Sequence, residues 1–332
     1  NTLSAIERAA LIEEAGKERL TISFYTYAHI GNTNIFRNHL FINWNEMDVL
    51  GRIYVAHEGI NAQLSVPAEN FNVFKEHLDS ISFLENVRLN IAIEQDNLSF
   101  LKLKVKVRNK IVADGLEDNS FDVTNKGIHV GAEQFNELIE DPDTVLVDMR
   151  NHYESEIGHF KNAITPDVDT FRDSLDIIER DLADHKRDKK LVMYCTGGIR
   201  CEKASAYYKH KGFEQVYQLE GGIIEYTRQV EKNNLENKFK GKNFVFDHRR
   251  GERISDDVIA NCHQCGEPCD EHVNCANEAC HLLFIQCKSC AEKMNNCCSD
   301  ACKEVHELPF EEQKALRKGK VVSNKIFKKG RS

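Results

Sequence analysis

No stretch of the 332-residue chain approaches the roughly 18 uninterrupted apolar residues that a membrane-spanning helix needs. Neither a membrane span nor a membrane partner is expected. Nor do residues 1–20 read as a secretory signal: they carry seven charges, from Glu7 to Arg19, the wrong composition for one. Positive charge is not in surplus. With 44 Lys and Arg against 53 Asp and Glu, the formal net charge is -9. That balance argues against wholesale coating of nucleic acid but leaves room for local basic patches. Cysteine is absent from the first 194 residues; ten of the twelve crowd between Cys262 and Cys302, and the other two are Cys195 and Cys201. Without a secretion signal the cytoplasm is the expected compartment. Thiols there stay reduced, so the distribution points to metal ligation and catalysis rather than disulfides.

What is present reads as a multidomain α/β and α+β protein. Residues 1–125 open with a helix marked by a Ser4-x-x-Glu7 capping box. Apolar–polar alternation over Leu20–Tyr27 predicts a strand. A helix with Ile35, Phe36, Leu40, Phe41 and Trp44 follows, then short strands at Arg52–Val55 and Asn61–Val66 on either side of His57-Glu58-Gly59. Pro67 opens a helix with Phe71, Phe74 and Leu78, and a strand at Val87–Ile93 closes a ferredoxin-like βαββαβ unit. The link beyond it contains Leu101-Lys-Leu-Lys-Val-Lys-Val-Arg-Asn-Lys110. A strand there aligns Lys102, Lys104, Lys106, Arg108 and Lys110 on one face and Leu101, Leu103, Val105 and Val107 on the other. The row is either the solvated face of a half-buried strand or a seat for a polyanion, which would relieve its self-repulsion. Phe24, Tyr25 and Tyr27 are candidates for stacking on RNA, with core packing the stronger reading.

Residues 126–236 alternate helix and strand: Ala132–Ile139, Thr144–Asp148, Phe171–Leu182, Lys190–Tyr194, Arg200–Lys211 and Gln215–Leu219. This predicts a parallel sheet with reactive groups beyond its carboxyl ends. Strand Leu191-Val-Met-Tyr194 runs straight into Cys195-Thr196-Gly197-Gly198-Ile199-Arg200 and a helix. Unpaired N–H groups at the helix start, the two glycines and the Arg200 charge should hold Cys195 as a nucleophilic thiolate. Cys201 is either a resolving thiol for an oxidised Cys195 or helix packing.

Residues 237–313 form a cysteine-rich, zinc-binding module. Cys262-x2-Cys265 and Cys287-x2-Cys290 have zinc-ribbon spacing, and Cys275-x4-Cys280 with Cys298-x3-Cys302 makes a second set. Four thiolates each suit two structural zinc sites, leaving over Cys269 and Cys297, either of which could replace a neighbour as ligand. His263, His272 and His281 read as packing or solvated residues before ligands. The tail, 314–332, has Lys314, Arg317, Lys318, Lys320, Lys325, Lys328, Lys329 and Arg331 and no acid. It reads as a mobile solvated end or a nucleic-acid arm.

The middle segment resembles a rhodanese domain. The resemblance lies in Leu146-Val-Asp-Met-Arg-Asn-His-Tyr-Glu-Ser-Glu-Ile-Gly-His-Phe160, in the Cys195–Arg200 loop and in Leu219-Glu-Gly-Gly-Ile223. A six-residue loop implies sulfur-sized chemistry rather than phosphate-ester hydrolysis, with Asp148, Arg150 and His159 structural. Together with Gly51-Arg-Ile-Tyr-Val-Ala-His-Glu-Gly-Ile-Asn-Ala62 and the basic strand, nearly the whole chain resembles the bacterial rhodanese-domain tRNA uridine hydroxylases. Ala62 departs from the expected glycine and should stiffen a loop there. The resemblance implies oxygen-dependent conversion of the wobble uridine of tRNA to 5-hydroxyuridine, with tRNA as partner, molecular oxygen as co-substrate, and Cys195 and Arg200 as catalytic residues. A rhodanese-type sulfurtransferase acting through a cysteine persulfide is the alternative, and a non-catalytic adaptor built on the zinc module a further one. No flavin, haem or non-haem iron signature is present.

Overall fold

In the computed structural model of the chain, the described residues are 3–116, 121–319 and 326. Helix α1 (Ala5–Ala15) carries the capping box: Ser4 accepts from the Glu7 N–H, and Glu7 accepts from the Ser4 N–H. Then come β1 (Arg19–Tyr27), α2 (Thr33–Glu46), β2 (Leu50–Ala56), β3 (Gly59–Pro67), α3 (Phe71–Asp79), β4 (Asn90–Ile91) and β5 (Leu103–Val107). The sheet order is β4-β1-β3-β2-β5, antiparallel except that β5 runs parallel to β2. The ferredoxin-like unit thus gains a fifth, basic strand.

Alternation sets its two faces. Ile22, Phe24, Ile53, Val55, Leu64 and Val105 pack under Leu40 and Trp44 of α2 and Phe74 and Leu78 of α3. Each such burial is worth about 1.5–3 kcal/mol. A one-residue slip would expose the whole set, so register is strongly held. The opposite face presents Ser23, Tyr25, Arg52, Tyr54, Asn61 and Gln63, which line a cavity shared with the middle domain. Two expectations need correction here. The strand expected at Val87–Ile93 is reduced to Asn90–Ile91, because side chains cap the rest of β1: Gln95 Oε1 accepts from Thr21 N at 2.8 Å and Asn97 Oδ1 from Arg19 N at 2.9 Å. Ala62 is not in a loop. It lies fully buried in β3, paired with Phe24 and Ile53, where a small side chain fits the core.

The middle domain contains β6 (Ile128–Val130), α4 (Ala132–Glu140), β7 (Thr144–Asp148), α5 (His152–Ser155), β8 (Gly158–Phe160), α6 (Phe171–Asp181), β9 (Lys190–Tyr194), α7 (Ile199–His210), β10 (Gln215–Leu219) and α8 (Gly222–Asn233). Its sheet is parallel, in the order β6-β10-β9-β7, with helices packed against it. β11 (Phe239–Asn243) pairs with β8 and with β12 (Glu252–Arg253), tying the following segment to this domain. The cysteine-rich module adds the hairpin β13 (His272–Asn274) and β14 (Leu283–Ile285), then α9 (Lys288–Met294), α10 (Asp300–His306) and α11 (Phe310–Arg317). Among the described residues no helix is long and apolar enough to cross a membrane.

Polar contacts join the units. Lys203 of α7, fully buried, reaches Glu58 of the β2–β3 turn at 2.6 Å and Asp114 at 2.7 Å. Ile93 N donates to Glu252 at 2.9 Å. Of the tail cations, Lys314 meets Glu311 at 3.7 Å and Arg317 pairs with Glu278. Lys320, Lys325, Lys328, Lys329 and Arg331 lie outside the described residues.

Candidate active site

The end of β9 delivers Cys195 to a loop that turns at once into α7. Gly198, at φ 102, makes the turn, and a Cβ there would stand 2.8 Å from the Tyr25 hydroxyl, so glycine is required twice over. Gly222, at φ 65, supports the loop from behind. A Cβ on it would come within 2.5 Å of the Cys195 and Thr196 carbonyl oxygens. The N–H groups of Ile223 and Ile224 donate to those two oxygens at 3.0 and 3.3 Å. The Leu219–Ile223 segment is therefore the clamp that shapes the loop.

The Cys195 sulfur accepts the Gly198 N–H at 3.1 Å. Burial works against ionisation, but the Cys201 thiol, the Arg200 charge and the N–H groups of Cys201 and Arg200 outweigh it, and the pKa falls to about 6. Burial and the neighbouring sulfur push Cys201 the other way, well above its ordinary value. Cys195 is thus the thiolate and Cys201 its thiol donor. Arg200 does not point its fork at the sulfur. Its terminal nitrogens bind the buried Glu154 carboxylate at 2.7 and 2.8 Å, so it acts on Cys195 through its field. Asp148 and Arg150 form a wholly buried pair at 2.6 Å, and Arg150 also holds the Gly158 carbonyl. His159 contacts a backbone carbonyl. These three carry structure.

Above the loop lies a cavity of about 420 Å³. Cys195, Thr196, Gly197, Ile199 and Arg200 form its floor; the polar face of the N-terminal sheet forms its roof, and residues 245–252 contribute a side wall. Tyr25 belongs to that roof, its hydroxyl 3.4 Å from Glu202; the Tyr27 hydroxyl reaches the Ile199 carbonyl at 3.4 Å. Phe24 faces the core against Trp44. Asn90 closes the roof with a 3.4 Å contact to the Gly197 carbonyl.

Residues 19–111 match the UPF0176 acylphosphatase-like domain, 131–229 the rhodanese-like domain and 240–303 the rhodanase C-terminal family. A protein of Leptospira interrogans named tRNA uridine(34) hydroxylase is 54% identical over 320 residues, covering 96% of this chain and 87% of its own. Proteins of the same name from Photorhabdus laumondii and Pectobacterium carotovorum are 54% identical over 332 residues, all of this chain and 94% and 93% of theirs. The chain belongs to the tRNA uridine(34) hydroxylase family. Within this member of the family, the basic strand keeps Lys102, Lys104, Lys106 and Arg108 exposed. Lys110 instead turns inward to Asp114 at 2.7 Å. Sequence reasoning missed Arg52, which sits opposite Lys104 across β2 and β5 and extends the basic face to the cavity. It also missed Phe246 and the Asp247–Arg249–Glu252 cluster of the side wall. No signal in the linear pattern placed that segment beside Cys195.

The cysteine-rich module brings together Cys262, Cys265, Cys287 and Cys290, and separately Cys275, Cys280, Cys298 and Cys302, with the sulfurs of each group within 4.8 Å of one another. Either group can hold a metal ion. Four ligands at about 2.3 Å around tetrahedral zinc put sulfurs about 3.8 Å apart; Cys265–Cys287, Cys280–Cys298 and Cys298–Cys302 stand at 3.6, 3.7 and 3.7 Å. N–H groups of Cys287 and Cys298 donate to the sulfurs of Cys262 and Cys275, as thiolate ligands favour. Cys269 and Cys297 pack in the neighbouring cores. His263 binds Glu156 at 2.7 Å, and His272 is buried against Phe244.

Proposed function

We propose that the chain hydroxylates C5 of uridine 34 in tRNA, with Cys195 as nucleophile and molecular oxygen as the source of the oxygen atom. The observation that carries this reading is the Cys195 sulfur, its pKa lowered to about 6, on the floor of a cavity of about 420 Å³, in a chain that matches members of this family over its full length. A base must leave its stack to reach such a sulfur, and an anticodon loop makes that inexpensive. The thiolate adds to C6 and the displaced electron pair makes C5 nucleophilic. Once C5 carries oxygen, loss of the C5 proton and of the C6–S bond restores the aromatic ring and frees Cys195. The net change balances with two thiols: the uridine C–H, one O2 and the Cys195–Cys201 dithiol give C–OH, water and a disulfide.

Residues 1–125 hold RNA, with Lys102, Lys104, Lys106 and Arg108 towards phosphates; residues 126–236 carry the chemistry; residues 237–313 fold around two structural zinc ions; the tail 314–332 adds positive charge. A tRNA enzyme of this kind works in the cytoplasm. Both cysteine groups use all four positions for protein ligands, which suits a structural ion that holds the side wall in place. The test is nucleoside mass spectrometry of tRNA from a deletion strain complemented with wild type or Cys195→Ala. Wild type restores 5-hydroxyuridine and the variant does not; a variant that restores it removes Cys195 from the mechanism. A parallel thiosulfate-to-cyanide assay separates the sulfurtransferase alternative.

A further inference from the structure

A second cavity, of about 320 Å³, adjoins the first, and Arg52, Phe100, Phe246 and Asp247 line both. Beyond that shared wall the smaller cavity is lined by Lys102, Lys104, His248 and Arg250. Its cations are crowded. Arg52 stands opposite Lys104 across the β2–β5 ladder, and Lys102, two residues before Lys104, is exposed on the same face. Burial, then Lys102, Lys106 and Arg52, press Lys104 towards losing its proton, and the leading influences on it include no anion. The carboxylate in the wall gives no relief. Asp247 is tied to Arg249, whose N–H and Nε donate to it at 3.0 and 2.8 Å. Arg250 is anchored to Asn274 of β13 at 2.8 Å, so the cysteine-rich module also reaches this cavity.

Clustered like charges with no internal counterion are costly, and an incoming anion relieves that cost. The position limits what the anion is. A nucleotide whose base occupies the larger cavity carries its own phosphodiesters to the rim, and Arg52 stands on the wall between the two spaces. We propose that the smaller cavity is the seat of a phosphodiester flanking the target uridine, gripped by Arg52, Lys102 and Lys104. This rests on the reading that the larger cavity receives a uridine of tRNA. It assigns the basic strand a single position on the RNA rather than a diffuse attraction. A fixed phosphate also fixes the ribose, and with it the face of the base presented to Cys195.

The test uses anticodon stem-loop RNAs in which one linkage flanking U34, 5′ or 3′, is replaced by an uncharged methylphosphonate. Binding is read by fluorescence anisotropy and turnover by nucleoside mass spectrometry. For the wild-type enzyme, neutralising one of the two linkages should weaken binding and raise KM by about tenfold or more, the range of a hydrogen bond to a charged group. In Arg52→Ala and Lys104→Ala that penalty should shrink by several-fold, and in the double variant it should fall to less than about twofold, because those partners are already gone. The salt dependence of binding should flatten by about 0.7 in logarithmic slope for the lost contact. Arg52→Lys, which keeps the charge, should retain most of the penalty. Arg52 and Lys104 lie on the exposed face of the sheet, and unchanged melting temperatures would confirm intact folding. A wild-type enzyme indifferent to both linkages overturns the proposal, as does a penalty of equal size in the variants. Linkage dependence that persists with no 5-hydroxyuridine formed would reject the hydroxylase reading alone.

Discussion

Replacing Cys201 by alanine should raise the pKa of Cys195 and slow its reaction with electrophiles at neutral pH. The Cys195 sulfur sits at about 6 although burial opposes ionisation; the Cys201 thiol leads the influences that overcome it, ahead of Arg200 and two N–H groups. A hydrogen bond to a charged acceptor contributes about 1.5–3 kcal/mol, and about 1.4 kcal/mol moves a pKa by one unit. Without that donor the midpoint rises by roughly one to two units, to roughly 7–8. At neutral pH the thiolate share then drops from about nine-tenths to between about one-half and one-tenth. Cys201→Ser keeps a hydroxyl donor in the same place and should leave the midpoint near its wild-type value. The assay follows alkylation of the Cys195 peptide by mass spectrometry as a function of pH. Wild-type reactivity should climb as pH rises through about 6 and then level off. The sign for stability agrees: the folded pKa lies below the ordinary 9.0, so ionisation supports the fold at higher pH and that support fades as pH falls towards 6. An alanine variant with an unmoved midpoint would refute the cause assigned to the shift.

Three further outcomes are expected. Gly198→Ala forces a Cβ into left-handed backbone beside the Tyr25 hydroxyl, at a cost of about 1–3 kcal/mol; it should abolish hydroxylation and lower the melting temperature by several degrees, and Tyr25→Phe should restore part of the activity. Glu154→Gln leaves the Arg200 charge buried without its counterion and should cost about 3–5 kcal/mol, read from urea unfolding. Treating the reduced protein with a strong chelator should release two metal ions per chain and open residues 262–302 to protease, while the rhodanese-like domain resists. Retention of protease resistance with no metal bound would contradict that dependence.

Much of the scaffold is legible in the linear pattern. Thr144–Asp148 and Lys190–Tyr194 can be read off as strands because each centres on a short apolar run that is mostly buried. The two cysteine groups follow from ligand spacing, since chelation by near neighbours in sequence is a local geometric property. The strand–Cys195–Gly-Gly–helix turn is likewise local, and so its chemistry can be read before its surroundings are known. The fate of individual charges is a different matter. Lys110 continues the alternation of the basic strand, yet it turns to Asp114; Arg200 looks like a group aimed at substrate, yet its fork is held by Glu154, 46 residues earlier. Ion pairing depends on where distant backbone meets, which periodicity does not encode.

By itself, then, the sequence determined the main strands and helices of the first two domains, the nucleophilic turn and the closely spaced cysteine pairs, because each follows from contacts within a few residues. Tertiary structure alone decided that the polar face of β1–β3 roofs Cys195, that residues 245–252 wall the cavity, and that Arg52 stands between base seat and basic groove. Alternation says which side of a strand avoids water. What the other side meets is set by how whole domains dock, through buried links such as Lys203 with Glu58 and Asp114 that join residues far apart in the chain.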